Sequence, residues 1–357
     1  MVKISVLCIS FNHQRFIASH IQSVLNQSFK DFELIIVDDY SSDGNIDEIK
    51  KFNDPRIKLI CHGFNRGINA AVNSAFENAS GEYVMFMAGD DCLEPNALEV
   101  VVKVLDNTDA IVVYPGLVQI GNNGNKIKPW SIKNRDRFKL LNMLFMSENP
   151  LYSPGMSMKR EVFSKYLYPL DNSMCLHQDT QMHVKLLLIG EPKFLDDSVI
   201  LYRFDGNVGN ISGSAISRFR ANMETEKLMD TFLNCNNTNL LKKIFFNEIK
   251  QLKIEPKTEL LEFFLGHVAL LSTDWYKKMW GYHKIMQAYN SKDKAKVLKD
   301  EYGFEFKDYL NLIKYMDIEN SDSEKFKRKY KKYKNRSMIL GAFSVILLIF
   351  VIIGVVL

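Results

Sequence analysis

The chain has 357 residues, 46% hydrophobic and 25% charged, with a net charge of +4; it is too apolar for a disordered protein and long enough for two compact domains, or one with an appendage. Its five cysteines, Cys8, Cys61, Cys92, Cys175 and Cys235, are scattered and never form a Cys-x-x-Cys pair, which argues against a disulfide scaffold or zinc site and for reduced thiols. Eight Lys and Arg between 325 and 336 exceed the net charge of the whole chain, so the remainder is net acidic and a nucleic-acid-binding body is not expected.

The first apolar run, Ile4 to Ile9, is soon broken by Asn12 and His13 and is too short and polar for a signal peptide. It reads as a strand. A helix follows at about 15–27, then a strand at 33–37, a helix at 46–52, a strand at 57–61, a helix at 67–78 and a strand at 82–87. This alternation predicts a sheet rich in parallel pairs, flanked by helices, whose ligands bind beyond the carboxyl ends of the strands. Polar residues cluster at those ends: Ser10 and Asn12; Asp38, Asp39, Ser41, Ser42 and Asp43; and Gly89, Asp90 and Asp91. Further on come a strand at 110–114, a helix at 180–189 and, from 215 to 333, mostly helical patterns including 260–271.

The final stretch, 339–357, is apolar except for Ser344, and 19 helical residues at about 1.5 Å each match a bilayer core. With the basic run and its Phe326, Tyr330 and Tyr333 ahead of it, this predicts a transmembrane tail anchor over 337–357. The positive-inside tendency places everything N-terminal to it at the cytoplasmic face of a membrane.

Two acidic pairs at neighbouring strand ends carry the chemistry. Asp90 and Asp91 would repel one another unless a divalent cation took their oxygens, although Gly-Asp-Asp is also an ordinary solvated turn. Asp38 and Asp39 can accept hydrogen bonds from a base or ribose, while Ser41, Ser42 and Asp43 can equally cap the following helix.

The runs Ile4–Asn12, Ser23–Asp39, Asn65-Arg66-Gly67 with Asn73, and Gly81–Asp91 together resemble the family 2 glycosyltransferases, inverting enzymes of GT-A fold. The resemblance is dense over 1–115, sparser to about 215, and absent beyond. It implies that Ser10 and Asn12 line a nucleotide pocket, that Asp39 meets the base and that Asn73 lies along the donor. It makes Asp90 and Asp91 the Asp-x-Asp-type element, Asp91 the more direct ligand of Mn2+ or Mg2+ and Asp90 serving ribose or metal. Ala88 stands where many members carry a further Asp.

In the second half, His177-Gln178-Asp179 resembles the Glu-Asp element that supplies the base of inverting enzymes, with Gln178 in place of Glu. An Asp just ahead of a helix is equally a favoured cap, a role that would lower its pKa. His177 and His183 read as pocket or packing residues. Arg203 suits a diphosphate or a surface acid, and Asp205 stands where members often place a His. The expected architecture is therefore a GT-A α/β domain of two halves: 1–115 for the nucleotide sugar and 116–215 for the acceptor. A helical extension follows at 216–336, then the transmembrane anchor. The expected activity is transfer from a nucleotide-diphosphate sugar to a glycan or lipid-linked glycan near the membrane. Nucleotidyl transfer and a non-catalytic membrane-tethered scaffold are the alternatives.

Overall fold

The computed structural model describes residues 2–130, 132, 136–204 and 215–316. Nine strands make one mixed sheet: β1 (Ile4–Ser10), β2 (Phe32–Asp38), β3 (Ile57–Cys61), β4 (Tyr83–Ala88), β5 (Cys92–Leu93), β6 (Val112–Ile120), β7 (Lys126–Trp130), β8 (Ser157–Lys159) and β9 (Pro192–Arg203). Their order is β3-β2-β1-β4-β8-β6-β9-β5, with β7 paired to β6. The first four neighbours are parallel, and β8 inserts antiparallel between β4 and β6. Central strands of a parallel sheet are covered on both faces and therefore read as continuous apolar runs. Leu34-Ile35-Ile36-Val37 in β2 is such a run, without solvent exposure.

Helices return the chain between strands: α1 (Ile17–Leu25), α2 (Asn45–Lys50), α3 (Ile68–Glu77) and α4 (Ala97–Asn107). Three buried alanines, Ala70, Ala71 and Ala75, give α3 a narrow apolar face, and it lies against β1 and β2. Then come α5 (Arg137–Met146), α6 (Arg160–Tyr166), α7 (Gln178–Ile189), α8 (Ala215–Asp230), α9 (Thr238–Ile244) and α10 (Phe246–Leu252). The chain forms two compact units, one ending at Leu261 and the other starting at Glu262. That division falls inside the stretch expected as a single helical extension. The second unit contains most of α11 (Leu261–Leu270), together with α12 (Trp275–Asn290), α13 (Lys292–Tyr302) and α14 (Phe306–Asn311), around buried Phe263, Phe264 and Leu298.

The fold expectation needs one correction. The mixed α/β sheet and the helical C-terminal part are present, but no helix among the described residues is long and apolar enough to cross a membrane. The segment expected to do so, 337–357, lies outside the described residues, so the architecture supported is GT-A-like α/β with helices following.

Candidate active site

Strand β4 ends in a tight turn, Asp91 N–H donating to the Ala88 carbonyl at 3.2 Å. The turn passes so close to β1 that a Cβ on Gly89 would come within 2.9 Å of both His13 Nδ1 and Ser10 Oγ. Any larger residue there would have to displace those side chains, so glycine suits the turn. The two acids then differ sharply. Asp90 keeps a quarter of its side chain exposed, 4.0 Å from His13 Nε2. Asp91 points inward and is 1% exposed. Its Oδ1 accepts from Arg203 N–H at 2.8 Å, while Oδ2 is buried with no partner among the described residues. Burial, and then the charge of Asp90, push the Asp91 carboxyl well above its ordinary pKa of 3.8, against the pull of the Arg203 N–H.

Arg203, at the end of β9, binds this turn from the other side. Its Nε donates to the Asp90 carbonyl at 2.8 Å and its Nη1 to the Gly121 carbonyl at 2.6 Å, while the guanidinium lies 4.4 Å over the Phe16 ring. These contacts engage it with two carbonyls and an aromatic face. His20 Nδ1 meets the Asp91 carbonyl at 2.8 Å; burial lowers its pKa to about 4, so the ring is neutral and its Nδ1 carries the proton.

The carboxylate pair fits a divalent cation in one specific sense. No cluster of three or more His, Cys, Asp or Glu among the described residues could cage a metal. An orphaned buried carboxylate oxygen beside a like charge is nevertheless the donor set suited to Mg2+ or Mn2+, which takes one or two carboxylates and completes its shell with phosphates and water.

Around β1 and β2 the expected nucleotide residues are tied into the scaffold. Ser10 Oγ accepts from Asn45 Nδ2 at 2.9 Å, and the same amide donates to Asp38 at 2.6 Å. Asn12, at φ 57°, accepts the Ser42 N–H at 2.8 Å and so shapes the loop after β2. Asp39 is 3% exposed and accepts from His62 Nδ1 at 2.7 Å and from the amides of Arg66 and Gly67 at 2.8 Å each. His62 in turn meets Ser74 Oγ at 3.0 Å. Asn73 faces the loop ahead of α7: its carboxamide accepts from Leu170 N–H at 2.8 Å and donates to the Leu170 carbonyl at 2.9 Å. One turn earlier, Asn69 donates to the Asp171 carbonyl at 2.6 Å.

The loop so held leads into α7. The helix is capped at His177, so Asp179 lies in its first turn and is not the cap. Its Oδ1 accepts from Thr180 N–H at 2.6 Å and Thr180 Oγ1 at 3.2 Å. Burial raises its pKa against those bonds. Asp179 opens onto a crevice lined also by Ile9, Phe86, Ala88, Ser153 and Gln178. The crevice therefore runs from the carboxyl ends of β1 and β4, next to the Asp90–Asp91 turn, to the start of α7. Ser153 Oγ and Gln178 Oε1 are buried there without partners among the described residues. His183 is a packing residue: its Nδ1 meets Tyr114 Oη at 2.8 Å and burial lowers its pKa to about 3.

Residues 5–167 match glycosyl transferase family 2. That stretch is just under half of the chain. An uncharacterized glycosyltransferase of Nostoc sp. is 29% identical over 222 residues, 60% of this chain and 68% of that protein. The Escherichia coli UDP-Glc:alpha-D-GlcNAc-diphosphoundecaprenol beta-1,3-glucosyltransferase WfgD is 32% identical over 34% of this chain and 47% of its own. The Campylobacter jejuni GalNAc(5)-diNAcBac-PP-undecaprenol beta-1,3-glucosyltransferase is 34% identical over 38% and 45%. The chain thus spans about half the length of these two named relatives. Residues 1–349 of S. aureus TarS, in complex with UDP-GlcNAc, share the fold with TM-score 0.57 at 17% identity, covering 84% of this chain and 91% of that one.

Several residues that shape this region of the structure carry no sequence signal. Asn45 sits at a helix start, where a cap is the ordinary reading; Ser153 lies in an irregular stretch; Glu224 sits within a helix. His62 follows β3 directly, so a strand-end inspection extended to β3 finds it.

Proposed function

We propose that this glycosyltransferase moves a sugar, with inversion, from a nucleotide-diphosphate donor to a hydroxyl of a glycan or lipid-linked glycan, using a divalent metal at Asp90 and Asp91 and Asp179 as the base. The observation that carries the reading is the crevice between the carboxyl end of β4, directly ahead of the Asp90–Asp91 turn, and Asp179, whose pKa burial raises. A carboxyl with a raised pKa is a stronger base once ionised. Asp179 would take the acceptor O–H proton as that oxygen bonds to the anomeric carbon from the face opposite the leaving group. The bond from that carbon to the diphosphate oxygen then breaks with its electron pair on the diphosphate. Bound Mn2+ or Mg2+ would neutralise charge on the departing diphosphate. Arg203 holds the Asp90–Asp91 turn at the Asp90 carbonyl and, through its backbone N–H, at the Asp91 carboxyl, and His62 with the Arg66 and Gly67 amides fixes Asp39 near the nucleotide. Ser153 and Gln178 offer unsatisfied polar atoms to an acceptor sugar.

Two named relatives act on diphosphoundecaprenol-linked sugars, which supports a lipid-linked acceptor here. Together with the basic run 325–336, this favours work at the cytoplasmic face of a membrane. Asp179→Asn tests the assignment of the base. The amide keeps the shape but cannot take a proton, so kcat should fall 10²–10⁴-fold with donor affinity in titration calorimetry unchanged. Near-normal turnover would remove Asp179 from the chemistry.

A further inference from the structure

Helix α8 delivers Glu224, 8% exposed, to the chain just ahead of α7. Its Oε1 accepts from the Cys175 N–H at 3.1 Å and the Cys175 thiol at 2.9 Å, and its Oε2 accepts from the Leu176 and His177 N–H groups at 2.9 Å each. One carboxylate therefore occupies three consecutive amides, the last belonging to the residue that caps α7. Burial alone would raise its pKa, but the Cys175 thiol and the three amides outweigh that and hold it below the ordinary value, so it is anionic at neutral pH.

A helix N-terminus carries unsatisfied N–H groups and roughly half a positive charge, which stabilises an ionised carboxyl in the first turn. Asp179 is in that turn, so the uncompensated helix would weaken it as a base. We propose that Glu224 is a positioning residue for catalysis: its charge, held on the His177 amide at the helix start and on the two amides before it, offsets the positive end of α7 and keeps Asp179 basic. The inference rests on the reading of Asp179 as the base.

The other titratable groups nearby do not replace Glu224 in this role. Tyr114 of β6 and His183 of α7 bond to one another and are both held neutral by burial. Lys185 of α7 has Asp171 and Lys227 as its charged neighbours. Arg220, one turn earlier on α8, is exposed and approaches Cys175, so it opposes Glu224 only in part.

The test is the pH profile of kcat in the full chain for the wild type, Glu224→Gln, Glu224→Asp, Arg220→Ala and Leu228→Ala, with Asp179→Asn as reference. The wild type should show an acidic limb that reports deprotonation of Asp179 and is missing from the much slower Asp179→Asn. Glu224→Gln should move that limb to lower pH by about half a unit, with a several-fold lower plateau. Glu224→Asp, which keeps the charge, should leave the limb in place. Arg220→Ala, at an exposed position, should move it upward and provides the test independently should Glu224→Gln not fold. Leu228→Ala, which removes a buried side chain one turn along α8, should lower the melting temperature without moving the limb. A limb unmoved in both Glu224→Gln and Arg220→Ala would overturn the proposal and leave the base assignment standing. Full turnover in Asp179→Asn would overturn the base assignment itself.

Discussion

Asp91 shows how a residue can be costly to the fold and still be placed with care. Its carboxyl has a raised pKa in the folded chain, so the stability it contributes is full below about pH 3.8 and is lost as pH rises through the folded value. The metal-free protein therefore carries a penalty that grows as pH rises from about 3.8 toward the folded value. Asp91→Asn should leave the melting temperature at pH 7 unchanged or higher, while calorimetric titration shows metal-dependent donor binding lost. A mutant with lower stability and intact metal-dependent affinity would contradict both halves of the expectation. Asp39 is the opposite case, with three donors for its two oxygens. His62→Ala should cost about 1–3 kcal/mol, because it strips one donor from a buried carboxylate; denaturant unfolding measures it. The acidic pairs themselves were legible in the sequence from their strand-end positions. Which oxygen would be left without a partner was not, because that depends on Arg203, 112 residues away.

At the level of elements, β1 to β4 and the helices between them could be read directly, because buried parallel strands and apolar-periodic helices leave unambiguous patterns. The stretch 116–215 was harder. Strand β6 was expected to stop at Tyr114 but runs to Ile120, passing through Pro115 and Gly116 where its register with β9 shifts. Strand β8 is three residues long, and β9 carries exposed Asp196 and Asp197, so neither gives the apolar signal of a strand. Yet β9 delivers Arg203 to the acidic turn. Arg203→Lys keeps the charge but loses the planar fork that reaches two carbonyls while lying on Phe16. It should lower metal-dependent donor affinity about tenfold and leave metal-independent affinity in place, as titration with and without Mn2+ would show.

For the whole molecule, surface charge and internal spacing both have measurable consequences. If the basic run 325–336 draws the protein to an anionic leaflet, at about 1 kcal/mol per near-surface Lys or Arg, replacing its Lys and Arg with Gln should weaken binding to phosphatidylserine vesicles in cosedimentation. The part of binding due to that run should disappear at about 1 M salt. Inside the first unit, α3 begins at the Gly67 amide fixed by Asp39 and, six residues on, presents Asn73 to the backbone of Leu170. At about 1.5 Å per residue, those two anchor points are about 9 Å apart along the helix axis. Helix α3 thus works as a ruler between the Asp39 carboxylate and the loop that leads into α7. A single residue inserted in its middle would turn Asn73 by about 100°, breaking its grip on Leu170 while leaving every residue of the acidic turn in place.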